Sequence, residues 1–342
     1  RKTGLPIKGN KKRADEILDE YIAEKEMQLN RMSFGSTMLF ADFMEYHWLP
    51  YMRSEVKLTT FGGYQTNVEK KIAPYFRERE ISLRDLTKDD ILAYYKYEMD
   101  VNGLKATSVH KFHTNIKKTL DYAIEKNLLK HSVMAQVKRP KKKRFAAKFL
   151  RQSEVVKLFA AVRGDELELA VILGAFYGLR RAEVVGLRWE AISFETNTIT
   201  IEHTVTSATV DGKRVDVADD TAKTKSSLRS LPLVPEFRNK LLEVQEEQAR
   251  NRKLYGKSYN RRYSDYIYTD QLGNLVKPDY ITRRFPEFLE AHDIRRVRFH
   301  DLRHTAASLL LNNGVELNDV KDWLGHSEIG ITADTYGHLE FK

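Results

Sequence analysis

The chain has 342 residues and a formal net charge of +10, and it contains no cysteine. A chain of this length is expected to form two domains, and the lack of thiols excludes disulfides, a cysteine nucleophile and thiolate metal sites. No apolar run is long enough to span a membrane and no signal peptide is evident, so we expect a cytoplasmic protein with no membrane partner. The positive charge favours a polyanionic partner, of which nucleic acid is the commonest.

The first third of the chain has the residue spacing of amphipathic helices. Residues 1–34 are predicted to form a connector helix, because apolar residues recur at helical intervals among charges. Residues 35–135 predict a compact helical domain, in which Thr87 and Asp90 resemble a capping box and the second helix is expected to end near Pro74. The predicted apolar faces consist of Phe40, Phe43, Met44, Trp48, Phe61, Tyr64, Val68, Ile72, Val109, Phe112, Ile116, Leu120 and Ala123.

Residues 136–150 are predicted to be a basic interdomain linker. Pro140 interrupts any helix and the neighbouring cations repel one another, so the segment should be extended. It is either a flexible tether or a segment that follows a DNA backbone, and its place between two domains of a basic protein favours the second. The candidate phosphate contacts on the fourth helix and in the linker are Lys111, Lys117, Lys118, Lys138, Arg139, Lys141, Lys142, Lys143 and Arg144.

The remainder, residues 151–342, is predicted to be a second domain in which the periodicity changes from helical to alternating and back. The fold class is therefore mainly α with a small antiparallel sheet (α+β). The predicted elements are helices across Ser153–Arg188, strands across Ile192–Val217 with a hairpin turn at Asp211-Gly212, helices again from Pro235, and a short strand at Tyr266–Tyr268.

Two segments of this domain place charged side chains within helix-forming sequence, where lone charges are costly. Arg180 and Glu183 share a helical face, so the carboxylate can orient the guanidinium for bidentate phosphate binding; an ordinary surface ion pair is the alternative. His300 and Arg303 share a face in the same way and add an imidazole and a second guanidinium. His300 and His304 have the spacing of a metal pair, but no third ligand and no intervening glutamate support a metal site.

A third segment adds a proton donor and a nucleophile. His326 follows Leu324-Gly325, and Tyr336 lies ten residues further on. The sequence Gly256-Lys257-Ser258 is not a phosphate-binding loop, because Asn251 stands where the first glycine is needed and helix-like sequence precedes it. The three segments together supply cations, a proton donor and a hydroxyl group.

These segments resemble the conserved boxes of the tyrosine recombinase family, which includes lambda-type phage integrases and the integrases of conjugative transposons. The resemblance implies that Tyr336 is the nucleophile and that Glu183 occupies a supporting acidic position. The family's hairpin lysine maps best onto Lys223, with Lys225 as the alternative. The catalytic positions that the resemblance implies are Arg180, Lys223, His300, Arg303, His326 and Tyr336.

The resemblance further implies a site-specific DNA recombinase that cuts and rejoins strands through a 3′-phosphotyrosyl link, with no metal or cofactor. The two domains would clamp double-stranded DNA, as a tetramer on synapsed duplexes, with an excisionase or a host DNA-bending protein as additional partners. Residues 1–34 would be the end of an arm-binding domain. The alternatives are a type IB topoisomerase or resolvase, or an architectural DNA-binding protein without catalysis.

Overall fold

The computed structural model describes residues 13, 16–17, 20, 38–142, 148–220 and 228–325. The chain divides into two compact units, Arg1–Arg144 with Thr209–Lys213, and Phe145–Ala208 with Arg214–Lys342. The predicted connector helix falls almost wholly outside the described residues, although its four described positions have helical backbone. The boundaries predicted for connector, linker and domains stay predictions. Within the described ranges, no helix is both long and apolar enough to cross a membrane.

The first unit is helical wherever the structure describes regular elements in residues 38–142. Its α-helices are α1 (Phe40–Phe43), α2 (Leu49–Glu55), α3 (Leu58–Asn67), α4 (Ala73–Glu78), α5 (Lys88–Asp100) and α6 (Ala106–Glu125). A 3₁₀ turn, Val133–Gln136, precedes the basic linker.

Two π turns join the helices of this unit in pairs. Met44–Trp48 connects α1 to α2, and Val68–Ile72 connects α3 to α4. A proline, Pro50 or Pro74, follows each π turn by two residues. Proline lacks an N–H and clashes with the carbonyl four residues earlier, so widening the preceding turn allows the helix to continue. The prediction that the second helix ends near Pro74 is therefore wrong, because the helix continues to Glu78.

The predicted core of the first unit is confirmed. Of the apolar positions expected from periodicity, all are buried except Tyr64, which is half-buried. The capping box is also present, since Thr87 N–H donates to Asp90 at 2.9 Å and Asp90 N–H donates to Thr87 Oγ1 at 3.2 Å. Local capping and helical spacing were therefore enough to predict these elements.

The second unit has helices before and after a run of strands, as its sequence predicts, but its described strands form two small sheets where one was expected. Its helices are α7 (Gln152–Val162), α8 (Glu168–Ala175), α9 (Arg181–Gly186), α10 (Pro235–Tyr255), α11 (Pro278–Ala291), α12 (Asp301–Asn312) and α13 (Leu317–Leu324). Its strands are β1 (Ile192–Ser193), β2 (Thr198–Ile201), β3 (His203–Val210), β4 (Lys213–Asp220) and β5 (Arg229–Pro232). The mainly helical α+β class is confirmed.

The strands form an antiparallel three-stranded sheet in the order β1-β2-β5 and a two-stranded hairpin of β3 and β4. At the hairpin turn Asp211 and Gly212 both have positive φ, 51° and 71°. This geometry matches the twist of antiparallel strands, which is why Asp-Gly predicted the turn.

The strand predicted at Tyr266–Tyr268 does not form. Tyr266 makes an isolated bridge to Arg188, and the Gln248 amide donates to the carbonyls of Tyr266 and Ile267 at 3.2 and 3.0 Å. A side chain therefore takes the acceptors that a neighbouring strand would use. The three residues are nonetheless buried.

Helices α8 and α12 pack together in the core of this unit and position the polar residues that follow α8 and those that begin α12. The contact is close, because a Cβ built on Gly174 of α8 would lie 3.0 Å from the Phe299 ring and 3.2 Å from Leu302. Small residues at such a crossing allow two helices to approach.

Candidate active site

Three arginine side chains bind the C-terminal end of α13. The backbone carbonyls of residues 323–325 accept hydrogen bonds in order from Arg229 (2.9 Å), Arg303 and Arg180 (3.3 Å). The last carbonyls of a helix have no partner within it and lie at the negative end of the helix dipole, where cations are stabilised. Arginines from β5, α12 and the residue before α9 therefore converge on one point, immediately before His326 in the chain.

Gly178 makes this convergence possible. Its φ is +67°, in the left-handed region, and a Cβ on it would lie 2.4 Å from Leu324 Cδ2 at the end of α13. Its carbonyl accepts a hydrogen bond from Arg303 Nη1 at 2.7 Å. A glycine is thus required both for the turn that leads into Arg180 and for the close approach of α13.

Glu183 lies at the centre of the arginine cluster, and four hydrogen bonds saturate its carboxylate. Oε1 accepts from Arg180 Nη1 at 2.7 Å and from Arg229 Nη1 at 3.3 Å. Oε2 accepts from the backbone N–H of Arg180 and from Arg229 Nη2, both at 2.9 Å. Because Glu183 is only 4% exposed, the alternative of an ordinary surface ion pair is wrong.

The charge state of Glu183 follows from these neighbours. Burial alone would raise the pKa of Glu183, but Arg229, Arg180 and Arg303 outweigh burial and lower that pKa to about 2. At neutral pH the cluster therefore combines three guanidinium groups with one carboxylate, for a net charge of about +2 (three minus one). A surplus of positive charge is available to an anion.

The histidine of this site, His300, immediately precedes α12. Partial desolvation of the imidazole, followed by the charges of Arg303 and Arg298, lowers the pKa of His300 below its usual 6.5. The imidazole is therefore neutral at pH 7 and can accept a proton. Asp301 is 1% exposed and accepts hydrogen bonds from the backbone and guanidinium of Arg298, which fixes the start of the helix.

His304 lies one turn beyond His300, and the ring centroids are 5.6 Å apart in an edge-to-face arrangement. Desolvation and the neighbouring His300 lower the pKa of His304 to about 4. Within the described residues no cluster of three or more histidine or acidic side chains could hold a metal ion. The segment Gly256–Ser258 forms a 3₁₀ turn directly after α10, so a helix precedes it, as the sequence indicated.

The structure thus brings together four of the predicted site residues, Arg180, Glu183, His300 and Arg303. Other predicted positions lie outside the described residues: Lys223 with its alternative Lys225, His326, Tyr336, and the linker residues Lys143 and Arg144.

Sequence reasoning missed Arg229, which is 8% exposed and makes as many contacts with Glu183 as Arg180 does. A signal was available, since Arg229 is in phase with the buried Leu231 and Leu233 along β5. A charged residue at a buried position of an alternating strand requires a buried counter-charge. Nothing local in the sequence says that the counter-charge is Glu183.

The predicted phosphate contacts of the first unit lie on its surface. Lys111 and Lys118 of α6 are exposed, and Lys117 pairs with Asp121 at 2.6 Å. His110 binds the carbonyl of Pro140 at 2.8 Å, which attaches the start of the linker to α6. The predicted linker contacts that the structure describes, all exposed and in neither helix nor strand, are Lys138, Arg139, Lys141 and Lys142.

Comparison with known families agrees with this geometry. The sequence profile of the phage integrase family matches residues 148–342, and that of the phage integrase N-terminal SAM-like domain matches residues 39–99. The first match covers more than half of the chain and contains every residue of the arginine cluster.

Individual proteins give the same result over nearly the whole chain. A "Tyrosine recombinase XerC-like" protein of Caldanaerobacter subterraneus subsp. tengcongensis is 25% identical over 93% of this chain and 85% of its own. The ICEBs1 integrase of Bacillus subtilis is 26% identical over 98% of this chain and 88% of its own. The fold resembles that of the Tn1549 transposon integrase in complex with a circular intermediate DNA, with a TM-score of 0.70 and 17% identity over 88% of this chain and 95% of the other.

Proposed function

Because the chain belongs to the phage integrase family, and is therefore a site-specific tyrosine recombinase acting on DNA, we propose that the arginine cluster at the end of α13 is its scissile-phosphate site. The observation that carries this proposal is the convergence of Arg180 and Arg303 on consecutive carbonyls next to His326. Preorganised cations of this kind stabilise the charge that develops on the non-bridging oxygens of a phosphodiester under attack.

The remaining roles are assigned to side chains around this phosphate. The hydroxyl of Tyr336 attacks phosphorus and forms a 3′-phosphotyrosyl bond, while the bond from phosphorus to the 5′ oxygen breaks. His300, whose lowered pKa favours the unprotonated imidazole, accepts the phenol proton, and Lys223 protonates the departing 5′ oxygen. His326 donates a hydrogen bond to the phosphate. No metal or cofactor takes part in these steps.

DNA binding is assigned to the basic residues of the first unit and the linker. The exposed cations of α6 and of residues 138–142 would contact phosphates and supply most of the affinity without reading sequence. The two units would clamp one duplex, and four copies would assemble on two synapsed duplexes. The recombinase would act in the cytoplasm, where it integrates or excises a mobile element with an excisionase or a host DNA-bending protein.

The test is formation of a covalent adduct on a duplex nicked close to the cleavage point, which traps the enzyme because the short 5′ strand diffuses away. The wild-type chain should give an SDS-resistant protein–DNA adduct, and Tyr336→Phe should give none. Arg180→Ala and Arg303→Ala should each slow adduct formation by about 10²- to 10³-fold, as loss of one preorganised donor does elsewhere.

Tyr255→Phe is the matched control. It removes a phenol hydroxyl at the end of α10, where the hydroxyl of Tyr255 lies 3.4 Å from the Gln271 side chain. Its adduct yield should equal that of the wild type. An adduct that persists in Tyr336→Phe would contradict the assignment of the nucleophile, and unchanged rates in both arginine variants would contradict the phosphate site.

A further inference from the structure

We propose that Arg229 is a positioning residue of the active site, which keeps Arg180 available to the scissile phosphate by sharing the charge of Glu183. This inference rests on the proposed role of Arg180. It starts from the hydrogen-bond pattern, in which the carboxylate of Glu183 is divided evenly between the two arginines. Each arginine contributes one bond to Oε1 and one to Oε2, at distances from 2.7 to 3.3 Å.

The two arginines differ in where their guanidinium groups are placed. Arg229 is fully enclosed, with a side-chain exposure of 6%, whereas 39% of the Arg180 side chain is exposed. Arg229 directs both Nη atoms to Glu183 and its Nε to the carbonyl of Trp323. Arg180 directs Nη1 and its backbone N–H to Glu183 and Nη2 to the carbonyl of Gly325, and the exposed part of its side chain can meet an anion.

The sharing of the Glu183 carboxylate between Arg180 and Arg229 affects the charge that Arg180 presents to the phosphate. Without Arg229, the buried carboxylate would be neutralised mainly by Arg180, whose charge would then count less at the phosphate. With Arg229 present, the cluster retains a surplus of positive charge and Glu183 remains ionised. Arg229 therefore acts on the reaction through Glu183, without touching the substrate.

Arg229 also ties the site to α13. Its bond to the carbonyl of Trp323 lies one residue before the carbonyl that Arg303 holds and two before the one that Arg180 holds. A shift of β5 would therefore move the helix end on which both proposed catalytic arginines rest. Misplacement of catalytic groups by about 1 Å can slow a reaction on the order of 10²-fold.

The experiment compares Arg229→Lys, Glu183→Gln and the double variant in single-turnover adduct formation on the nicked duplex, together with the dissociation constant for an intact duplex. Arg229→Lys should lower the rate on the order of 10²-fold and leave the dissociation constant unchanged, because Arg229 is enclosed and directs its Nε and both Nη atoms to Trp323 and Glu183. The double variant should be no slower than the slower single variant, since both changes act along one path.

The control is Arg238→Lys, which alters a partly buried arginine that holds the Phe194 carbonyl at 2.8 Å in the same unit and should leave the rate unchanged. If Arg229→Lys does not fold, Glu183→Gln combined with Arg229→Met removes both charges of the buried Glu183–Arg229 pair. This variant should fold, and it should remain slow because the Glu183 carboxylate no longer orients Arg180. A wild-type rate in any folded Arg229 variant would overturn the inference. The inference would also be overturned if the rate losses of Arg229→Lys and Glu183→Gln multiplied in the double variant. It would be overturned as well if Arg229→Lys lost as much DNA affinity as rate.

Failure of this inference is distinguishable from failure of the phosphate site. A slow Arg180→Ala together with a fast Arg229→Lys overturns only the role of Arg229. A fast Arg180→Ala overturns the phosphate site itself.

Discussion

Arginines 229 and 303 are 8% and 2% exposed, a burial that arginine rarely tolerates. Each is tolerated because its donors meet strong acceptors, namely the carboxylate of Glu183 or backbone carbonyls at Gly178 and the end of α13. Removing one partner of such a buried charged pair leaves the charge of the other partner uncompensated. The cluster therefore couples the stability of the catalytic unit to its chemistry.

The first prediction concerns the stability that Glu183 contributes. Glu183→Gln should lower the free energy of unfolding by about 3 kcal/mol at pH 7, because Arg229 loses its buried counter-charge. The pKa of Glu183 is depressed to about 2 in the folded state, so its contribution is present above the unfolded pKa and is lost as pH falls toward 2. Urea unfolding between pH 7 and pH 3 should show a shallower pH dependence for the variant than for the wild type.

The control for that measurement is Glu190→Gln, at an exposed pair with Arg188. Its unfolding free energy should change by less than about 1 kcal/mol. The account of the cluster would be contradicted if both variants lost the same unfolding free energy. It would also be contradicted if the decline of that free energy at low pH were the same in Glu183→Gln as in the wild type.

The second prediction concerns the pH dependence of cleavage. Because the pKa of His300 lies below 6.5, the rate of adduct formation should be level near pH 7 and fall at lower pH as the imidazole gains a proton. His300→Gln should lower the rate by about 10²- to 10⁴-fold and abolish that acid limb. His304→Gln should retain the fall in rate at low pH. If only the His304 variant lost that fall, the general base would be His304 and not His300.

Among the elements, those defined by local chemistry could be predicted from the sequence. The capping box at Thr87, the Asp211-Gly212 hairpin and the start of α10 at Pro235 depend on neighbouring residues alone. The π turns before Pro50 and Pro74 could not be predicted, because a proline within a helical pattern is ordinarily taken to end the helix. The missing strand at residues 266–268 depends on Gln248, which lies 18 residues away in sequence.

The site itself divides in the same way. Arg180 and Glu183 could be placed together because they are three positions apart in the chain, where Arg180 precedes α9 and Glu183 lies in its first turn. The contact of Arg229 with Glu183 spans 46 residues, and the contact of Arg180 with Gly325 spans 145. Such contacts arise only when β5 and α13 pack together near Arg180 and Glu183, and no local pattern encodes that packing.

The third prediction belongs to the turn between α8 and α9. Gly178→Ala should destabilise the protein by more than the roughly 1–2 kcal/mol expected for a left-handed backbone alone, because its Cβ also overlaps Leu324. Gly164→Ala is the matched control, with a φ of +80° and no atom within 4 Å of an added Cβ.

The difference in unfolding free energy between these two variants measures the overlap with α13. Gly178→Ala should also slow adduct formation, whereas Gly164→Ala should not. Identical losses of stability and equal rates would show that α13 does not rest on this turn.

At the scale of the whole molecule, the excess of cations determines how the protein meets DNA. The net charge is +10, and the exposed linker cations lie outside the arginine cluster. The fourth prediction is a steep salt dependence of duplex binding, by about 10³- to 10⁵-fold between roughly 50 and 200 mM salt if six to ten phosphates are contacted. Replacing Lys141 and Lys142 by alanine should reduce the slope of the logarithm of the binding constant against the logarithm of the salt concentration by about 1 for each lost contact, equally on specific and random duplexes.

Whether the chemistry runs through the arginine cluster is tested most directly by locating the covalent bond. The wild-type adduct on a nicked duplex would be digested with protease and nuclease, and the peptide that carries the residual nucleotide would be identified by mass spectrometry. We predict a single modified peptide, with a 3′-phosphate linked to Tyr336, whose formation slows in parallel when Arg180 or Arg303 is replaced. A nucleotide attached to any other residue, or an adduct that forms at the wild-type rate in both arginine variants, would contradict the account.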